Sequence, residues 1–140
     1  MLELETLFSM ASMVAAFSWL ALAVTPFTWS WPARLGRAAA LGLSMLYVAL
    51  IVSFWSKGEG GFDSLASVAS LFETRGLLLA GWVHYLAFDL FVGIWERGES
   101  LRIGFSRWFL IPCLFLTFMF GPAGWLAFMA ARRSKEKSTR

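Results

Sequence analysis

Charged residues are scarce in this chain and absent from long stretches of it. Aspartate, glutamate, lysine and arginine make up 15% of the 140 residues, whereas about a quarter is usual in a soluble domain. Residues 6–33, 38–56 and 108–131 contain none of the four, and residues 76–95 contain only Asp89. Each stretch is close to the roughly 20 apolar residues that cross a bilayer as a helix. The scarcity of charge excludes a soluble globular domain and predicts an all-α fold, a four-helix transmembrane bundle over residues 1–131.

Cysteine and histidine each occur once, as Cys113 and His84. A lone cysteine cannot form a disulfide within the chain, and one histidine, one aspartate and one cysteine make a poor ligand set, so we expect no metal site. The sequence has no glycine-rich phosphate loop and no nucleophilic serine elbow. A net charge of +3 does not indicate nucleic acid. Residues 132–140 are expected to form a basic tail at an anionic membrane surface.

The first residues lack the positive charge that begins a signal peptide. They read MLELE, with two glutamates, and the apolar stretch that follows is longer than the core of such a peptide. We therefore expect the first apolar stretch to be a helix of the folded protein.

The charge-free stretches predict helices over about residues 7–26, 37–55, 75–95 and 108–130. Pro32 is expected to end any helix between the first two, and the glycines of SKGEGGFDS indicate an exposed loop after the second. Residues 65–71 are mildly amphipathic, and two interpretations stay open for them: a helix along the membrane interface, or a loop that leads into the third helix.

The segment FGPAG interrupts the fourth apolar stretch. Proline removes a backbone donor and clashes with the preceding turn, and glycine beside it weakens a helix further. We expect Gly121, Pro122 and Gly124 to form a kink that faces the same cavity as the third helix, because irregular backbone in a membrane is tolerated only where protein or a polar cavity satisfies it.

Four spans would place the two termini and the 58–73 loop on the same side of the membrane. That side would carry seven lysines and arginines and the other side five. The positive-inside rule then predicts that both termini are cytoplasmic.

The third helix carries polar residues that the hydrocarbon core does not accommodate freely. An aspartate at the bilayer centre costs about 2.5–3.5 kcal/mol on insertion scales, so Asp89 is expected to face the bundle interior. With about 100° between successive residues, one stripe of the helix contains Arg75, Trp82, Asp89 and Glu96. His84 lies about 140° from Asp89 on a second stripe. Both can face inward only if the third helix is central, and we expect them to share an enclosed polar pocket.

Two interpretations of these residues remain. They can be hydrogen-bonding groups that fix helix packing, or they can form a functional site with the aromatic residues nearby. Several tryptophans stand at predicted helix ends and suit interfacial anchoring. Side chains expected to line an apolar ligand pocket are Trp82, Tyr85, Phe88, Phe91 and Trp125.

Two segments, GWVHYLAFDLFVG (81–93) and IPCLFLTFMFGPAGWLAF (111–128), resemble the family of the plant abscisic-acid-deficient-four protein. This is an integral membrane family with many bacterial members, and the resemblance covers most of the second half of the chain. The matching positions are Trp82, His84, Asp89, Leu90, Phe91 and residues 122–124. Many relatives have a basic residue soon after the DLF segment, whereas this chain has Ile94 there and its next basic residue is Arg97.

The resemblance implies a function as well as a location. In plants the family is tied to the formation of neoxanthin from violaxanthin, a redox-neutral conversion of an epoxide to an allenic alcohol. It needs one proton delivered to oxygen and one removed from carbon, which acid–base groups can do without a cofactor. The resemblance therefore implies a carotenoid isomerase of the bacterial inner membrane, with His84 and Asp89 as catalytic groups and an apolar carotenoid-like ligand beside membrane lipid.

Two other functions stay open at this stage. The protein can be a non-catalytic binder of carotenoid or lipid that assists another enzyme, or a small channel or transporter that uses Asp89 and Glu96 as a polar path. Only the third helix carries charge within the membrane, which disfavours the channel. The sequence does not decide between catalysis and binding, and it leaves the oligomeric state open.

Overall fold

The computed structural model describes residues 3–138, and within them the protein is entirely helical, with no strand. Its helices are α1 (Leu4–Val24), α2 (Trp31–Phe54), α3 (Leu65–Glu73), α4 (Arg75–Arg102), α5 (Arg107–Phe120) and α6 (Pro122–Ser138), with a 3-10 turn at Trp55–Lys57. The all-α fold class predicted from the sequence is confirmed.

The second helix begins earlier than predicted, because Pro32 starts it rather than ends a helix. Pro32 is the second residue of α2 and is buried. Proline suits the first turn of a helix, where its missing N–H has no intrahelical acceptor to lose. The expectation that Pro32 excludes helix at this place is therefore wrong.

Residues 65–71 form a helix, which decides between the two interpretations left open for them. The Ser64 side chain caps α3 by accepting a hydrogen bond from the backbone N–H of Ser67 at 3.1 Å. Such a cap satisfies one of the free N–H groups of a helix N-terminus. On the side facing the protein, Leu71 is buried.

The long helix α4 continues to Arg102, past the end predicted at residue 95. The residues beyond that point are charged, yet Glu96, Arg97 and Ser100 are 0–1% exposed. Burial among protein groups stabilises the helix there, and apolar composition alone did not indicate this extension.

Three stretches have the length and apolar composition needed to cross a membrane: Leu4–Val24, Trp31–Lys57 and Arg75–Arg102. The fourth apolar stretch does not form one such helix. Its first part, α5, has 14 residues, about 21 Å at 1.5 Å per residue, which is shorter than a hydrocarbon core of about 30 Å.

Helix α6 turns back along α5 instead of continuing away from it. The rings of Phe105 and Phe128 lie 5.8 Å apart, and Lys135 donates a hydrogen bond to the carbonyl of Gly104. In one continuous helix, residues 105 and 128 would be about 35 Å apart. We call α5 and α6 the carboxyl-terminal hairpin. The four-span count is corrected to three candidate spans and this hairpin, and residues 132–138 belong to α6.

The chain divides into two compact units, and α1, α2 and α4 each contribute residues to both. Unit 1 comprises Met1–Ala15 and Ala39–Phe88. Its core consists of small and aliphatic side chains from three helices: Ala11, Ala15, Leu43, Leu50, Leu79, Ala80, Val83, Leu86 and Ala87.

Unit 2 comprises Ala16–Ala38 and Asp89–Arg140. Its described interior mixes apolar side chains, such as Leu22, Leu110 and Phe128, with buried polar ones. The polar and charged residues buried there are Ser18, Asp89, Glu96, Arg97, Ser100 and Thr117. The polar interior predicted for the protein is therefore concentrated in unit 2.

Candidate functional site

The buried face of α4 changes direction along the helix. In unit 1 it is centred on Val83, with Leu79, Ala80, Leu86 and Ala87 around it. At about 100° per residue, Trp82 and His84 point about 100° to either side of Val83, and both side chains are exposed.

In unit 2 the buried face of α4 includes the polar residues of the helix. Asp89, Leu90, Gly93, Ile94, Glu96, Arg97 and Ser100 are all buried. Measured from Val83, Asp89 points about 120° away and Glu96 about 140° away, both on the side of Trp82. The stripe predicted from the sequence is therefore buried at Asp89 and Glu96 and exposed at Trp82.

His84 occupies an open aromatic site in unit 1, and the interior position expected for it is not observed. The reason is that Val83, and not His84, lies at the centre of the packed face. Its imidazole stacks on Phe88 with centroids 4.7 Å apart, and the ring of Tyr47 on α2 lies 5.5 Å away.

A cavity of about 170 Å³ lies beside His84. Its wall is formed by α2, the loop after it, α3 and α4, and its residues are Tyr47, Ile51, Trp55, Phe62, Leu71, Phe72, Leu77, Gly81 and His84. Apolar walls with one or two polar groups are typical of small-molecule sites.

Trp82 and Tyr85 line further grooves on unit 1. Trp82 donates a hydrogen bond from Nε1 to Ser12 at 3.1 Å, and its ring lies 5.5 Å from those of Phe8 and Tyr85. One groove of about 380 Å³ contains both residues together with Phe72. Another of about 320 Å³ contains Trp82 and Phe8.

The remaining aromatic residues predicted to contact ligand are exposed on the protein surface. Phe88 is 59% exposed, Phe91 62% and Trp125 40%. Phe88 lies in unit 1, whereas Phe91 and Trp125 lie in unit 2. Phe88 is stacked on His84, one of the residues of the cavity wall.

Asp89 lies against the tip of the carboxyl-terminal hairpin. A Cβ placed on Gly121 would be 2.6 Å from Oδ1 of Asp89, so a side chain at residue 121 would force the carboxylate of Asp89 to move. Gly121 also has φ +43°, a region that side chains with a Cβ disfavour. A Cβ on Gly124 would be 2.1 Å from the backbone nitrogen of Thr117. The FGPAG segment thus forms the turn between α5 and α6 beside a buried carboxylate.

Glu96 is fully buried and bonded to the same hairpin. The hydroxyl of Thr117 on α5 lies 2.9 Å from one carboxylate oxygen of Glu96 and 3.1 Å from the other. Both residues are 0% exposed. Hydrogen bonding compensates part of the cost of burying a polar group, so the bond from Thr117 makes the buried position of Glu96 less costly.

Two arginines bind the carboxyl end of α1. Arg97 donates hydrogen bonds to the carbonyls of Leu22, Pro26 at 2.8 Å and Trp29 at 3.3 Å. Arg107 donates to the carbonyl of Val24 at 2.5 Å. The last carbonyls of a helix have no partner within the helix, and these guanidinium groups supply one.

Sequence reasoning missed Tyr47 and Thr117. Tyr47 is one of only two tyrosines in the chain, and it stands within a charge-free stretch. Its hydroxyl in an apolar span was a signal that a polar site was near. Thr117 has no comparable signal, because threonine is common in membrane helices and its partner comes from another helix.

No group of three or more His, Cys, Asp or Glu side chains is arranged to hold a metal ion in the part of the chain that the structure describes. Cys113 is buried, and its thiol donates to the carbonyl of Phe109 at 3.3 Å.

The family model described as ABA DEFICIENT 4-like matches residues 6–128. This range contains both segments on which the resemblance rests, together with the aromatic cavity and the hairpin turn. No curated protein and no solved structure matches the chain. The match extends over most of the sequence, and the resemblance seen in the second half is confirmed. The chain belongs to the ABA DEFICIENT 4-like family.

Proposed function

We propose that this chain is a multi-pass membrane protein that binds a carotenoid-like isoprenoid in the cavity beside His84 and isomerises it without a change of oxidation state. The observation that carries the proposal is the position of His84, an imidazole beside the hydroxyl-bearing ring of Tyr47 in an otherwise apolar and largely aromatic cavity. Membership of the family supports the choice of ligand class.

The cavity suits one end of a long ligand. Its volume of about 170 Å³ is below the roughly 300–1,000 Å³ of sites that enclose a whole small molecule. A cyclic end group would enter it, and the polyene would lie along the aromatic groove of Phe72, Trp82 and Tyr85. Aromatic faces provide large apolar contact areas for such a chain.

The chemistry follows from the two polar groups of the cavity. A neutral imidazole has one nitrogen that accepts a proton and one that donates. In the proposed step, His84 removes a proton from the carbon next to the epoxide. The electron pair of that C–H bond forms the new C=C bond of the allene while a C–O bond of the epoxide breaks. The oxygen takes a proton from the Tyr47 hydroxyl or from the imidazole and becomes an alcohol, and the proton removed from carbon restores the donor. Atoms and electrons balance within the substrate, so the proposal needs no cofactor.

Asp89 is the alternative location for proton transfer, because its carboxylate is buried beside the hairpin turn. A buried carboxyl group is a good candidate for acid–base work in a membrane. Two isosteric substitutions distinguish His84 from Asp89 as the site of proton transfer. His84→Gln removes the titrating imidazole from the cavity, and Asp89→Asn removes the titrating carboxyl beside Gly121. We expect His84→Gln to abolish the conversion and Asp89→Asn to reduce it less.

Pigment analysis of a host with and without the gene tests the function. Proton transfer by a positioned group contributes about 10²- to 10⁴-fold to a rate, so we expect accumulation of an epoxide-type substrate without the gene, and the same accumulation with His84→Gln. Ser44→Ala on α2 is the matched control, since its hydroxyl is exposed and bonds the carbonyl of Ala40 on its own helix. An unchanged pigment pattern without the gene would reject the isomerase.

A non-catalytic binder is the second candidate function, and the openness of the cavity favours it. His84 and Phe88 are exposed, whereas catalytic sites commonly exclude water or lipid from the reacting atoms. The binder predicts that pigment copurifies with the protein while the pigment pattern of the host stays the same.

A further inference from the structure

One end of unit 2 is held together by side chains from several segments of the chain. Arg97 on α4 bonds the carbonyls of Pro26 and Trp29, in the connector between α1 and α2. Lys135 on α6 bonds Gly104, in the connector between α4 and α5, and Arg132 lies 3.2 Å from Glu99. We call this end, with both connectors and the carboxyl end of α6, the basic end.

The basic end has a large excess of positive charge. Its described basic residues are Arg34, Arg37, Arg97, Arg102, Arg107, Arg132, Arg133 and Lys135, and its described acidic residues are Glu96 and Glu99. Arg34, Arg37, Arg102 and Arg133 are exposed. A kinked fourth span would have divided this charge, because it would have carried the last residues away from the α4–α5 connector. The hairpin brings them to it.

The amino-terminal ends of α1 and α4, with the residues before α4, have the opposite balance. In unit 1 the described acidic residues are Glu3, Glu5, Glu59, Asp63 and Glu73, against Lys57 and Arg75. Arg75 is paired with Glu5.

We propose that the basic end binds the headgroups of anionic phospholipids in the cytoplasmic leaflet. Charge complementarity carries the proposal, because juxtamembrane lysines and arginines attract anionic lipid by about 1 kcal/mol each near the surface. Exposed Trp29, Trp31 and Trp108 flank these arginines, and tryptophan is enriched at the level of the headgroups.

The proposal also assigns the side of the membrane on which the basic end lies. The connectors of the basic end and the carboxyl end of α6 face the cytoplasm, because the positive-inside rule counts lysines and arginines close to the spans. The inference does not depend on what the His84 cavity binds.

Lipid binding is tested on the purified full chain in neutral detergent. Phosphatidylglycerol should raise the melting temperature, and phosphatidylcholine should not. The variant Arg34→Gln/Arg37→Gln/Arg133→Gln should lose that shift, because three exposed cations are removed. Lys57→Gln/Arg75→Gln, at the ends in unit 1, is the matched control and should keep it. Equal shifts with both lipids, or with inorganic phosphate in place of phosphatidylglycerol, would overturn the proposal.

Orientation is tested by labelling single cysteines in a Cys113→Ala background with a membrane-impermeant maleimide. Bacterial cells that express Ser134→Cys should be labelled only after they are permeabilised, since this exposed position lies at the basic end. Labelling of Ser134→Cys in intact cells would overturn the cytoplasmic position of the basic end and with it the lipid site.

Discussion

Gly121 approaches the carboxylate of Asp89 so closely that a Cβ on it would stand 2.6 Å from Oδ1. This contact joins the centre of α4 to the point where the chain reverses between α5 and α6. The dimensions of the two elements agree. Asp89 is 13 residues before the end of α4, about 20 Å along the helix, and α5 is about 21 Å long. The hairpin turn therefore lies beside Asp89, at about the same distance from the α4–α5 connector as Asp89 itself.

Gly121→Ala should destabilise the protein. The new methyl group would collide with Asp89, and the positive φ of residue 121 disfavours alanine, so we expect a loss of about 1–3 kcal/mol. Gly42→Ala is the control, because nothing lies within 4 Å of a Cβ there. It should be stabilising by about 0.5–1 kcal/mol. Thermal unfolding in detergent, followed by tryptophan fluorescence, measures both. Equal melting temperatures for the two variants would show that the turn is not as described.

Thr117→Val should also destabilise the protein, although it preserves the shape of the side chain. It removes the hydroxyl that bonds the buried carboxyl group of Glu96, and leaving a buried polar group without its hydrogen bond costs about 1–3 kcal/mol. Thr117→Ser keeps the hydroxyl and should unfold nearly like the parent. In a Glu96→Gln background the Thr117→Val effect should shrink. An equally large effect there would mean that Thr117 acts through packing alone.

Arg97→Lys should destabilise the end of α1, although it preserves the charge. The planar guanidinium of Arg97 reaches the carbonyls of Leu22, Pro26 and Trp29 together. The single compact ammonium of a lysine cannot span all three. Carbonyls left unsatisfied cost about 1–3 kcal/mol. Arg102→Lys is the control, since exposed ion pairs contribute about 0–1 kcal/mol and the Arg102 side chain is 64% exposed. The free energy of unfolding should fall only for Arg97→Lys. Similar losses of unfolding free energy in Arg97→Lys and Arg102→Lys would mean that Arg97 contributes no more than an exposed arginine.

Cysteines at positions 99 and 132 should crosslink through a short bismaleimide. Glu99 and Arg132 form an ion pair at 3.2 Å. In one unbroken helix after Arg107, residue 132 would be about 37 Å from the start of that helix. The experiment uses Glu99→Cys/Arg132→Cys in a Cys113→Ala background, with each single cysteine as control. If both single cysteines react with a maleimide and the pair does not crosslink, α6 does not fold back.

The sequence predicted those features that depend on composition within one segment. Absence of charge located the long helices, and the cost of a carboxylate in hydrocarbon predicted that Asp89 is buried. The hairpin was missed because Gly121–Pro122 is compatible with either a kink or a reversal. Only contacts such as that of Phe128 with Phe105 distinguish the two.

The environment of His84 was missed for a related reason. Helical periodicity gives the angle between His84 and Asp89. It does not show on which side of α4 each neighbouring helix packs. Unit 1 packs against Val83, so His84 lies at the edge of that face beside Tyr47. Side chains contributed by other helices, such as Tyr47 to this cavity and Thr117 to Glu96, have no signature in the spacing of residues along α4.

The most direct test of the proposed function separates binding from conversion at His84. Purified parent, His84→Gln and His84→Phe are mixed in detergent with violaxanthin, the substrate that the family resemblance implies. The bound pigment is measured by its absorbance, and the products are separated by chromatography. We expect all three proteins to bind pigment, since phenylalanine preserves the stack on Phe88, and only the parent to form an allenic product, at least about 100-fold faster than either variant. Conversion by His84→Phe at the rate of the parent would contradict the assignment of His84 as the proton-transfer group.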